Sequence, residues 1–132
     1  VPVTELPMAM NMKLTAITLD CADPMVLARF YQQATGLELV PESGDEFAGL
    51  TCADGLFIGF QRADGYQAPS WPGQDRPQQL HLDFAVADLD QAAALLLRLG
   101  AARAEFQPGG DRWHVFTDPA GHPFCLTRIQ PA

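Results

Sequence analysis

Apolar and polar residues alternate in short bursts along this chain, and two longer apolar stripes interrupt them. The segments AITLDCADPMVLARFYQQATG (Ala16–Gly36) and HLDFAVADLDQAAALLLRLGA (His81–Ala101) both open with a period-two stretch, the mark of a strand with one buried face. Both then meet an Ala-Asp pair, at Asp23 and at Asp88. An Asp side chain accepts from the free N–H groups of a helix start, and Pro24 lacks a donor that would be unpaired there. Each helical pattern then runs to a glycine, Gly36 or Gly100, suited to a left-handed C-terminal position. In the second helix Leu89, Ala92, Ala93, Leu96, Leu97 and Leu99 form the apolar stripe, with Asp90, Gln91 and Arg98 on the wet side.

The repetition continues past the helices. CADGLFIGFQR (Cys52–Arg62) and DPAGHPFCLTR (Asp118–Arg128) each place a glycine turn before a short apolar strand. EFAGLT and RWHVFTD precede those turns and read as strands, as do GLELVPE and GAARAEF further upstream, and QPGGD makes another turn. Each half therefore reads strand, helix, strand, strand, strand. The expected fold is α+β: two tandem βαβββ modules forming a curved eight-stranded mixed sheet around a cup, with the helices on the outer face. Module one spans residues 14–62 and module two 80–128, and the Pro/Gly-rich segment 63–79 reads as an ordered linker. Together they make one domain over 13–129. Residues 1–12, with Met8, Met10 and Met12 close together, read as an N-terminal tail or a cloning remnant. Concave sheet faces favour small-molecule sites.

Parity sorts the strands, because alternate side chains face opposite sides. Leu80, Leu82, Phe84 and Val86 are expected under a helix, leaving His81, Asp83 and Ala85 in the cup. By the same rule Ala16, Thr18 and Asp20 face inward, with Phe57, Gly59 and Gln61 and, on the last strand, Cys125 and Thr127. Trp113 and His114 have opposite parity. A four-residue turn at Asp118–Gly121 pairs His114 with Cys125 and turns it inward, whereas a shift of one residue selects Trp113. His122, beside the turn, is expected to be exposed.

Charge and cysteine content narrow the function. The 132 residues are 48% apolar, enough for a packed interior, and carry a net charge of -8. That sign opposes nucleic acid and anionic membrane surfaces as partners. Cys21, Cys52 and Cys125 are odd in number and form no CxxC pair, so the default is a reducing cytoplasm rather than a disulfide framework. The start VPVTELPMAMNMK lacks a basic region followed by an apolar one, and no run approaches a membrane span.

With its paired modules, the HLDFAVADLD opening of the second and the closing DPAGHPFCL, the chain resembles the vicinal oxygen chelate superfamily (glyoxalase I, extradiol dioxygenases and bleomycin-resistance proteins). The SWPG…RPQQLHLDFAV linker and the FCL ending resemble its glyoxalase-like branch. The resemblance implies, for metal-dependent members, four ligands on the first and last strand of each module. Mapped through the internal repeat, those positions are Ala16, Gly59, His81 and Cys125. Two of them carry no donor side chain, and a catalytic divalent ion normally needs at least three protein ligands. No cofactor is therefore expected, with a divalent metal as the alternative. The resemblance also implies a homodimer.

The function expected is metal-independent binding of a small apolar or aromatic molecule, with drug sequestration of the bleomycin-resistance type as one form. The candidate ligand contacts are Thr18, Asp20, Phe57, Gln61, Trp71, His81, Asp83, Trp113, His114 and Cys125. The alternatives are a metal-dependent lyase, isomerase or dioxygenase-like enzyme, or a cofactorless acid–base catalyst using His81 oriented by Asp83. Cys125 reads either as a small buried thiol or as a nucleophile coupled to His81. Trp71 either caps the cup or anchors the linker.

Overall fold

The computed structural model describes residues 12–130, so the expected tail falls outside the described residues except for Met12. The element order is β1 (Ala16–Cys21), α1 (Pro24–Thr35), β2 (Glu38–Leu39), β3 (Phe47–Thr51), a 3-10 turn (Ala53–Gly55) and β4 (Phe57–Arg62). After the linker come β5 (Leu82–Val86), α2 (Leu89–Leu99), β6 (Ala102–Arg103), β7 (Trp113–Thr117) and β8 (Pro123–Arg128). The strands form two four-stranded sheets of equivalent order, β1-β4-β3-β2 and β5-β8-β7-β6. In each, the first and last strands of the module pair in parallel and the rest are antiparallel. This is the tandem βαβββ, α+β architecture.

The helices start and stop where local chemistry directs. Asp23 accepts from the Val26 N–H at 3.4 Å and Asp88 from the Gln91 N–H at 3.0 Å. Gly36 and Gly100 close the helices at φ 75° and 114°, a region open to glycine. Two expectations are corrected. Leu97 is 50% exposed, because Leu96 is buried and adjacent helix positions cannot share a face. Leu80 is 44% exposed, because the chain enters the ladder only at Leu82, opposite Phe124, and Leu80 stays with the linker. β2 and β6 are only two residues each, much shorter than the apolar runs that predicted them.

The core centres on α1. Leu27, Ala28 and Phe30 are buried, and Tyr31 stacks on Phe60 of β4 with centroids 5.6 Å apart and rings 2° from parallel. Tyr31 also reaches Phe84 of β5 at 6.0 Å and Phe124 of β8 at 5.9 Å, so one helix packs against both sheets.

Hydrogen bonds then lock the modules together. The buried Tyr31 hydroxyl donates to Asp118 Oδ2 at 2.6 Å. Asp118 Oδ1 accepts from the backbone N–H groups of Ala120 and His122, at 2.9 and 3.0 Å. Burial pushes the Asp118 carboxyl above its ordinary value, and burial followed by the nearby Asp118 charge raises the Tyr31 hydroxyl well above its own. His122, expected to be exposed, is half-buried at this seam. Its Nε2 lies 2.6 Å from the Asp20 carbonyl and 3.2 Å from the Tyr66 hydroxyl, and that hydroxyl donates to the Ala120 carbonyl at 2.7 Å.

Candidate functional site

The face of the sheets away from the helices carries most of the expected residues. In the first module, Gly59 pairs with Thr18 on one side and Gly49 on the other, so all three share this face. Phe47 and Phe57 belong to the same face and meet edge to face, with centroids 6.1 Å apart. The Phe47 ring lies over Gly59: a β-carbon there would meet Phe47 Cζ at 2.8 Å and Thr18 Oγ1 at 2.9 Å. This face of the first sheet is therefore an aromatic wall closed down on a glycine. Phe47 was not singled out from the sequence, although its place opposite Gln61 follows once β3 and β4 are paired.

The second module has the opposite character. His81 Nε2 lies 3.4 Å from Asp83 Oδ2, with side chains 42% and 62% exposed. Ligand atoms of His81, Asp83 and Cys125 all fall within 4.8 Å of one another. Cys125 is buried, directly opposite Asp83 in the β5–β8 ladder. Burial, then the Asp83 charge and a hydrogen bond to it, push the Cys125 thiol up to about 11. It is protonated at neutral pH, which argues against a standing Cys125–His81 nucleophilic couple.

These two halves test the fit of a metal. At the mapped positions of module one, Ala16 has no donor and Gly59 has neither a donor nor room for one under Phe47. Of the four positions mapped through the repeat, only His81 and Cys125 carry donor side chains. Module two offers three donors by itself, with Asp83 as the member that the repeat did not map.

The register also settles Trp113 against His114. Val115 pairs with Cys125, Trp113 with Thr127 and His114 with Leu126. Trp113 thus shares the Cys125 face, where its indole fills the space above Gly109. His114 is corrected: it lies on the helix side, buried at 9% exposure, beside the start of α2. The turn is longer than four residues, because the Asp118 N–H bonds the His122 carbonyl at 3.0 Å and carries His122 into it.

Thr18 and Asp20 line a cleft of about 450 Å³ between β1 and the linker, together with Tyr66, Arg76, Gln78 and His122. None of these last four was named from the sequence as a contact. The linker that supplies most of them has no periodicity, and only tertiary structure lays it beside β1. Gln61 is exposed at the outer end of β4. Trp71 sits against Phe106 of the β6–β7 loop, with centroids 5.6 Å apart. The linker folds back on itself there, with Ser70 N–H donating to the Arg76 carbonyl at 2.7 Å and Arg76 Nε to the Ala68 carbonyl at 2.8 Å.

The profile of the family described as Glyoxalase-like domain matches residues 16–127, both modules and the linker between them. The chain belongs to the glyoxalase-like domain family. No curated protein matches it. Among solved structures, a glyoxalase/bleomycin resistance/dioxygenase family enzyme from Burkholderia phytofirmans is similar. It has a TM-score of 0.67 and 17% identity, covering 90% of this chain and 100% of that one. The fosfomycin resistance protein FosX of Listeria monocytogenes is similar at TM-score 0.66 and 23% identity, covering 93% and 94%. An oxidase is similar at TM-score 0.64 and 21% identity, covering 92% and 96%. Identities this low establish the shared glyoxalase-like fold, on which different chemistries are carried. Among the described residues, no helix is long and apolar enough to cross a membrane.

Proposed function

We propose that the concave face binds a small, largely apolar or aromatic molecule directly, without a metal, and that sequestration of a toxic compound is its biological form. The observation that carries this reading is the Phe47 ring over Gly59, which replaces a ligand position with an aromatic wall. Phe57 extends that wall and Trp113 adds an indole on the equivalent face of module two. The fosfomycin resistance protein of the same fold supports a resistance role, and the proposal includes a homodimer. A panel of flat aromatic compounds titrated against Trp71 and Trp113 emission tests it. Saturable changes that survive chelator support the reading, and a panel without effect removes its support.

One observation favours a second reading. His81, Asp83 and Cys125 converge closely enough to hold a thiophilic divalent ion such as zinc, which would displace the Cys125 proton. Elemental analysis of protein purified without chelator decides between the two. A near-stoichiometric ion that is lost in His81→Ala installs a metal-dependent site.

A further inference from the structure

A second cleft, of about 310 Å³, lies on the helix side of the second sheet, between α1 and α2. Phe30 and Tyr31 of α1, Phe84 of β5, Leu96 of α2, and Phe124 and Leu126 of β8 wall it. Neighbouring aromatic rings in this wall have centroids between 4.9 and 6.0 Å apart. Ala34 and Ala92 leave the space that larger helix residues would fill.

The lining side chains have no hydrogen bond to offer. Only Tyr31 and Thr35 carry polar side-chain atoms, and both are engaged. The Tyr31 hydroxyl donates to Asp118 Oδ2 at 2.6 Å. Thr35 Oγ1 donates to the Tyr31 carbonyl at 2.6 Å and accepts from the Leu37 N–H at 3.2 Å. A charged or strongly polar molecule entering here would lose its hydration without replacement. An apolar molecule has no such hydration to lose and is favoured by the apolar walls. The volume is at the low end of ligand pockets, roughly 300–1,000 Å³. This cleft is separate from the cup: Asp83 and Cys125 face the cup, while Phe84, Phe124 and Leu126 face the cleft, on opposite sides of the same two strands.

We infer that the α1–α2 cleft is a second ligand site, taking a neutral hydrocarbon molecule of one or two fused rings. The test is titration of naphthalene into the full chain with methyl-labelled Leu and Val, read by NMR. Saturable shifts are expected at the methyls of Val86, Leu96 and Leu126. Naphthalene-2-sulfonate at the same concentration should leave them in place. Ala34→Trp, at the exposed rim, should weaken naphthalene roughly tenfold or more by filling the space, and Ala92→Phe should do the same from the opposite wall. Circular dichroism confirms that each variant is folded; if one is not, the other carries the comparison. The inference is overturned if these methyls show no saturable shift, if the sulfonate binds equally, or if both folded variants bind naphthalene like the parent. It is also overturned if sedimentation shows a dimer whose formation alone shifts these methyls, which would make a second copy the occupant.

Discussion

Phe47 lays its ring over Gly59, so closely that a β-carbon on Gly59 would sit 2.8 Å from Phe47 Cζ. A carboxylate restored at this position by Gly59→Glu would have to displace the ring. The expected result is a loss of stability of about 1–3 kcal/mol from overpacking, with no gain in bound metal. Phe47→Ala in the same chain should relieve part of that loss. Urea unfolding of the single and double variants checks both statements.

Tyr31 and Asp118 join the two modules through one short hydrogen bond at 2.6 Å. Tyr31→Phe keeps the stacked ring but leaves a buried carboxyl oxygen without its donor. The expected cost is about 1–3 kcal/mol, measured by denaturant unfolding. A variant as stable as the parent would show that the bond does not hold the modules together.

The same carboxyl gives stability a pH dependence. Burial raises Asp118 above its ordinary value of 3.8, outweighing the Tyr31 hydrogen bond that pulls the other way. From 3.8 up to the raised folded value, the folded chain holds this proton and the unfolded chain does not. The contribution of Asp118 is therefore full at low pH and is lost as pH rises through the folded value. The stability of the parent relative to Asp118→Asn should fall from about pH 4 upward. A difference that grows with pH over this window would contradict the assignment.

Cys125 should be a poor nucleophile. A thiol raised to about 11 is ionised at pH 7.5 in fewer than roughly one molecule in a thousand. Peptide mapping after iodoacetamide treatment at pH 7.5 should find Cys125 slow to alkylate. Asp83→Asn should speed it partly, because the Asp83 charge contributes to the shift but burial contributes most. Fast labelling in the parent would restore the Cys125–His81 couple as a catalytic candidate.

What could be read from the sequence was what local chemistry controls. The Asp23 and Asp88 caps and the two closing glycines act within a turn of their own helix, so the repeat and both helices were visible in one dimension. The cup-facing parity of Thr18, Asp20, Asp83 and Cys125 followed from alternation alone. The position of His114 did not, because it depends on whether His122 belongs to the turn, and one residue reverses a whole strand. Phe47 over Gly59 and the linker residues of the β1 cleft rest on contacts between distant segments. No periodic pattern encodes those. Leu97 and Leu80 show the same limit at element edges, where a neighbour's burial or the first ladder partner decides exposure.

One titration decides whether the cup holds its ligand without a metal. The tightest binder of the aromatic panel is titrated against tryptophan emission twice, into protein stripped with chelator and into the same protein resupplied with zinc or manganese. The same saturable curve and the same affinity are expected in both, with weaker binding in Phe47→Ala. Binding that appears only after metal is added, and that His81→Ala abolishes, would contradict it.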